Sequence, residues 1–222
     1  MNEHTLELFL FRHGESARNN ERHLIGGRTN HTPLSQRGLE QAVLLGRLLQ
    51  GTSFDLVYTS TAPRSIETAR ITCAEMGYTG SIIPRDELIE ISQGDWDGKP
   101  RKEVYTPEVL AQINSPPYGT FRPPGGESHL DVEHRMMAFV EEIPTKRDNL
   151  VVGVFTHGVT IKCLFRGLME SNPERTYKIV IYNASITRFK HTKRGWHLLT
   201  LNDSAHLEGH GKLYDRYAGG ED

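Results

Sequence analysis

The 222 residues predict an α/β fold, a three-layer sandwich with a mainly parallel central sheet and helices on both faces. Three observations carry this. Leu6-Glu7-Leu8-Phe9-Leu10-Phe11 and Leu150-Val151-Val152-Gly153-Val154-Phe155 are almost wholly apolar, as strands covered on both faces are. Strand-like runs alternate with segments of helical apolar spacing along the chain. Both apolar runs stop abruptly at a histidine followed by glycine, at the carboxyl edge where open α/β sheets place their ligands.

A chain of this length buries a good core, and one domain over residues 1–222 is the default reading. The formal net charge of −2 gives no overall pull toward nucleic acid or an anionic membrane, so any anion site must be a local cluster of cations. Cys73 and Cys163 both fall in apolar-periodic segments, which points to buried free thiols in a reducing, cytoplasmic setting. Met1-Asn2-Glu3-His4 has no basic leader region, and the apolar run behind it is too short for a membrane span. No composition signal speaks to the oligomeric state.

The first strand, Leu6 to Phe11, runs into Arg12-His13-Gly14-Glu15 and then a long polar loop to Thr32. Ser35 is the expected N-cap of a helix with Leu39, Ala42, Val43, Gly46 and Leu49 on its buried face, stopped by Gly51. Phe54 to Thr59 reads as a strand leading into a helix that starts at Pro63 and carries Ile66, Ala69, Cys73 and Met76. That start puts Arg64 in the first turn, beside free backbone N–H groups. Ile82-Ile83 suits a short strand, and Glu87 to Gly98 is a carboxylate-rich loop around Trp96. Residues 95–126, broken by Pro-Pro and Gly-Gly pairs, have too few apolar positions for a core of their own and are expected to form a small cap insertion, with weak helical character from Thr106 to Asn114. Ser128 and Asp131 have capping-box spacing ahead of a helix with Val132, Met136, Phe139, Val140 and Ile143. After the strand at 150–155 come Thr156-His157-Gly158 and another helix. Segments 179–182, 185–191 and 196–202 read as strands, the last two joined by a turn at Lys193-Arg194-Gly195, and 203–222 reads as a loose polar tail. His206 and His210 have i, i+4 spacing, but the tail offers no helix to present them to a metal.

Three strand ends thus deliver Arg12, His13, Arg64 and His157 to one edge of one sheet. Paired guanidinium groups offer forked, permanently charged donors that match the oxygens of a tetrahedral dianion. An imidazole in line with such a group can take the phosphoryl onto a ring nitrogen, and a second imidazole, once protonated, can stabilise charge on the equatorial oxygens. This scheme calls for no metal and no cofactor. A carboxylic acid such as Glu90 could protonate the leaving alkoxide and later take a proton from the attacking water.

These motifs resemble the histidine phosphatase superfamily, on the branch that includes the cofactor-dependent phosphoglycerate mutases. Arg12-His13-Gly14-Glu15 looks like the family's Arg-His-Gly-Glu signature, with Asn19 at its following Asn. Pro33-Leu34-Ser35 with Gly38, Ser60 with Arg64, Thr68 and Ala69, and Leu88-Ile89-Glu90-Ile91 with Gly94, Trp96 and Gly98 resemble further family segments. So do Pro124-Gly125-Gly126-Glu127-Ser128 and Thr156-His157-Gly158. The resemblance implies catalytic roles for His13, Glu90 and His157 and phosphate binding by Arg12, Asn19, Arg64, His157 and Gly158. Two departures stand out. Ile25-Gly26-Gly27-Arg28-Thr29-Asn30-His31 lacks the family's Gly-Trp and Asp, so this rim is expected to be built differently. Lys99-Pro100-Arg101-Lys102 replaces the mutases' Asn-Lys step, and no Arg-Arg pair occurs. The expected function is therefore metal-independent hydrolysis of a small phosphate monoester through phosphohistidine. Mutase activity is the first alternative, and an inactive phospho-ligand scaffold, disfavoured by the intact residue set, is the second. Lys99, Arg101, Lys102 and Arg122 are the cations available to an acidic substrate.

Overall fold

Leu6, Leu8 and Leu10 pack on one face of the sheet and Phe9 and Phe11 on the other, and this alternation sets the three layers. The computed structural model describes residues 5–28, 31–144 and 149–208. The strands are β1 (Leu6–Arg12), β2 (Leu56–Ser60), β3 (Ile82–Arg85), β4 (Leu150–Thr156), β5 (Ile186–Thr192) and β6 (Gly195–Asp203). They form one sheet in the order β3-β2-β4-β1-β5-β6. The first four in that order are parallel, and β5 and β6 complete the sheet in antiparallel pairings.

The helices are α1 (Gln36–Leu48), α2 (Pro63–Met76), α3 (Arg101–Val104), α4 (Pro107–Ile113), α5 (His129–Glu142), α6 (Gly158–Met169) and α7 (Pro173–Thr176). On the leucine face of β1, Val132, Met136 and Phe139 of α5 and Ile161 and Leu164 of α6 are fully or almost fully buried. On the phenylalanine face, Leu45 of α1 and Ala69 and Cys73 of α2 close around Phe9, Phe11, Phe54 and Phe155. The Phe11 and Phe155 rings lie 4.7 Å apart, and Phe54 meets Phe9 edge-on at 5.2 Å. Cys73 and Cys163 are buried free thiols. No helix among the described residues is long and apolar enough to cross a membrane.

Local signals place the helix ends. Ser35 Oγ accepts the Gly38 N–H at 3.1 Å to start α1, and Pro63 is the first residue of α2. Ser128 and Asp131 cap α5 reciprocally. Three sequence expectations need correction. The buried face of α1 is Gly38, Gln41, Ala42, Leu45 and Gly46, with Leu39 and Val43 only half-buried, because Gln41 turns inward to accept the Glu15 N–H at 2.8 Å. Residues 179–182 form no strand. Their backbone groups serve other partners: Ile181 O accepts from Arg12, Tyr182 N donates to Asn202 Oδ1, and Ala184 follows in the left-handed region at φ 54°. The tail is also not loose from its start, since Asp203 ends β6 and Leu207 is 1% exposed against the phenylalanine face. His210 lies outside the described residues.

The chain leaves β1 for α1 on one face, whereas it leaves the adjacent β4 for α6 on the other. A crevice at the carboxyl ends of these two strands follows from that divergence.

Candidate active site

Arg12 ends β1, His13 follows it, Arg64 stands in the first turn of α2, and His157 is the N-cap of α6. The His13 and His157 ring centroids are 5.1 Å apart, inclined by 61°. Arg64 lies between them: its Nε donates to His13 Nε2 at 3.2 Å, and Nη2 lies 3.2 Å from His157 Nδ1. These contacts set both tautomers. His13 Nδ1 lies 2.7 Å from the Gly14 carbonyl and carries the proton, which leaves Nε2 with its lone pair toward Arg64. His157 accepts from Arg64 at Nδ1, so its Nε2–H donates to Ser60 Oγ at 2.8 Å.

Both imidazoles are held neutral. The His13 pKa is pushed well below 6.5 by burial first, then by Arg64 and Arg12. His157 is lowered in the same way, by burial and then by Arg64, His13 and Arg12. These surroundings thus disfavour the protonated His157 considered from sequence, because two guanidinium groups oppose a further positive charge. Burial also lowers the Arg64 pKa, against the opposing pull of Glu90 and Asp97.

A cavity of about 160 Å³ opens over these groups, lined by Arg12, His13, Asn19, Arg64 and Glu90 together with Ser16, Arg18, Gly26 and Gly27. Asn19 Oδ1 accepts from Ser16 N at 2.9 Å and Ser16 Oγ at 3.0 Å, which turns its amide nitrogen toward other partners. Of the residues expected to bind phosphate, Gly158 does not line the cavity. It heads α6, where a Cβ would lie 3.4 Å from Arg12 Nε. His157, with no exposed surface, sits behind Arg64.

Glu90 lines the cavity from the segment after β3. Its Oε1 accepts from Ile91 N at 3.0 Å, Thr160 N at 3.2 Å and Thr160 Oγ1 at 3.1 Å, and Oε2 accepts from Val159 N at 3.3 Å. The carboxyl group is therefore seated on the N-terminal turn of α6, whose free N–H groups suit an anionic oxygen. Glu15 of the same signature is structural: its carboxylate accepts from Ser35 Oγ at 2.7 Å and Arg37 Nη1 at 3.0 Å.

Sequence reasoning missed several supports. Asn183 Nδ2 donates to the His13 carbonyl at 3.0 Å, and Thr68 Oγ1 accepts the Gly14 N–H at 3.0 Å while donating to Arg64 O at 2.7 Å. Gly14 and Gly38 pack backbone to backbone, and a Cβ on Gly38 would lie 2.0 Å from Glu15 O. At the rim, Arg64 Nη2 donates to Gly27 O at 3.2 Å, and a Cβ on Gly27 would meet Ile91 O at 2.8 Å. Arg28 then ties the rim to the acid: Nε donates to the Glu90 carbonyl at 3.1 Å and Nη2 pairs with Glu127 at 2.9 Å. Glu127 in turn accepts the Ser92 N–H at 2.9 Å and pairs with Arg135 at 3.2 Å. Lys99, Arg101, Lys102 and Arg122 are exposed and line neither this cavity nor the larger one described below; Arg101 lies over Tyr105, and Arg122 pairs with Asp131.

The sequence pattern of the histidine phosphatase superfamily (branch 1) matches residues 8–204. The chain belongs to this superfamily. Among relatives of this histidine phosphatase chain, phosphoserine phosphatase 1 of Hydrogenobacter thermophilus is 30% identical over 205 residues, covering 91% of this chain and 94% of the relative. A protein of Yersinia enterocolitica named probable phosphoglycerate mutase GpmB is 29% identical over 215 residues, covering 91% and 95%. The crystal structure of a phosphoserine phosphatase from Entamoeba histolytica in complex with 3-phosphoglyceric acid superposes with a TM-score of 0.79 at 25% identity, over 91% of this chain and 99% of that one.

The neutral histidines of this superfamily member make its stability depend on pH. Above about pH 6.5 both imidazoles are neutral whether the chain is folded or not, and they contribute no slope. Below that value the unfolded chain takes up protons that the folded site refuses, so stability is lost as the pH falls toward the lowered folded-state values, by about 1.4 kcal/mol per pH unit for each histidine. Urea unfolding of the phosphate-free protein between pH 5 and 7.5 checks this. His13→Asn and His157→Asn should each flatten the acid limb, and an unchanged limb in both variants would contradict the assignment.

Proposed function

We propose that this chain is a phosphatase of small phosphorylated metabolites that works through a phosphohistidine at His13. The observation that carries the reading is the position of Arg64, with donors on both imidazoles at the floor of a small cavity that Arg12 and Glu90 also line. An entering phosphoryl dianion draws the Arg64 guanidinium to its oxygens and frees His13 Nε2. That lone pair forms the N–P bond as the P–O ester bond breaks, and the electron pair leaves on the alcohol oxygen. Glu90, protonated for this step, gives that oxygen its proton from Oε2, which has one protein contact where Oε1 has three. Water then attacks phosphorus, Glu90 takes its proton, and the N–P bond breaks to restore His13 and release phosphate. The dianion also opposes the two arginines that hold His157 neutral, so Nδ1 can take up a proton and donate to a phosphoryl oxygen in the transition state.

The relatives' names favour the same chemistry, since phosphoserine phosphatases and mutase-like proteins both handle small phosphate esters. Mutase activity is the less favoured reading, because the four cations available to an acidic substrate line neither cavity. A phosphate-release screen over sugar phosphates, phosphoglycerates, nucleotides and phosphoamino acids tests the proposal. Turnover of at least one class is expected, and bound phosphate with no turnover of any ester would overturn it.

Glu90→Gln carries the next prediction. The amide keeps the shape but holds no transferable proton, so kcat/KM, which reads the phosphorylation step, should fall about a hundredfold or more on alkyl esters and far less on 4-nitrophenyl phosphate, whose leaving group needs no acid. Equal losses on both would remove Glu90 from the acid role.

A further inference from the structure

The phosphate cavity has room for a phosphoryl group but little for the alcohol attached to it. A larger cavity, of about 540 Å³, lies beside it, in the size range of pockets that hold ring-sized ligands. The two share a wall. Glu90 faces the smaller cavity, whereas Ile91, Gln93 and Glu127 face the larger one. An ester oxygen next to Glu90 is one residue along the chain from the wall of the larger cavity.

Six rings line the larger cavity. Trp96 is one of them, 5.6 Å from Phe121 at an interplanar angle of 30° and 6.0 Å edge-on from Tyr105. Tyr118 and Tyr177 add further ring walls, and the His129 imidazole stacks on Tyr177 at 4.2 Å. Among the described residues, no arginine lines it. Its one lysine among the described residues, Lys178, is exposed, its carboxylate Glu127 is paired with Arg28 and Arg135, and its second carboxylate, Glu174, is exposed. His129 offers no compensating charge, because burial, and then Lys162, push its pKa down to about 4. A free carboxylate on the substrate would find no forked donor here.

We infer that the leaving group is a ring-bearing alcohol, aromatic or heteroaromatic and without a carboxylate, held between the rings contributed by residues 96–121 and Tyr177. This inference rests on the phosphatase reading above and names its substrate class. It separates this chain from relatives whose names indicate small acidic substrates.

Phenethyl phosphate and ethyl phosphate are the probes, since both release primary alcohols and differ by the ring. Phenethyl phosphate should be turned over with a kcat/KM at least about tenfold above that of ethyl phosphate, phosphoserine or 3-phosphoglycerate. Tyr118→Ala and Phe121→Ala should each compress the phenethyl-to-ethyl ratio about tenfold, while inhibition by inorganic phosphate, which reads the smaller cavity alone, stays unchanged. A ratio near one, or a preference for phosphoserine or 3-phosphoglycerate, in protein that hydrolyses 4-nitrophenyl phosphate would overturn the inference and leave the phosphatase reading intact. Failure to hydrolyse any ester, 4-nitrophenyl phosphate included, would overturn both.

Discussion

His13→Ala is expected to lose phosphatase activity by at least about a thousandfold, because no other group can form the N–P bond. His157 cannot substitute. Its Nε2 is turned to Ser60, and its Nδ1, the atom that meets Arg64, is the one that takes up a proton to donate to a phosphoryl oxygen, so neither nitrogen offers a lone pair to phosphorus. The variant should still bind inorganic phosphate within about tenfold of the parent, since Arg12 and Arg64 remain to supply the charge. Steady-state rates with 4-nitrophenyl phosphate and phosphate binding by calorimetry separate these effects. Residual turnover within tenfold of the parent would exclude His13 as the nucleophile.

Arg64→Ala should cost nearly as much, about a thousandfold in kcat/KM, and for a different reason. Arg64 touches both imidazoles, so its removal takes away charge on the developing transition state and the contacts that orient two catalytic rings. Arg64→Lys should recover little, because one ammonium cannot meet His13, His157 and Gly27 O from a planar fork. The loss should fall on kcat more than on KM if the guanidinium acts chiefly in the transition state. A lysine variant close to the parent would show that the position needs only charge.

Much of this site was legible before any coordinates. Buried strands announce themselves by unbroken apolar runs, and the residues that end β1 and β4 are adjacent to those runs in sequence, so Arg12, His13 and His157 could be placed on one edge. Pro63 likewise fixed Arg64 in the first turn of α2. Glu90 was harder. It leaves an irregular segment, and what seats it, the first turn of α6, is some seventy residues away in sequence. A longer separation, 169 and 170 residues, hid the Ile181 carbonyl and Asn183, which reach the end of β1 from a stretch whose apolar pattern mimics a strand. The rim departs from the family's motif in sequence, but only the fold shows that Arg28 and Glu127 join it to the segment after Glu90. Residues 99–102 misled in the opposite direction, because a basic run in sequence says nothing about which way its side chains face.

The central claim is that the phosphoryl group passes through Nε2 of His13. Rapid acid-free quenching of the enzyme during turnover of radiolabelled 4-nitrophenyl phosphate, followed by peptide mapping, tests it most directly. Cleavage of the activated ester should be fast enough to let the intermediate accumulate. The account predicts a label that is stable to alkali, lost in acid, and confined to the peptide containing His13. A label on His157 or on a carboxylate would contradict it.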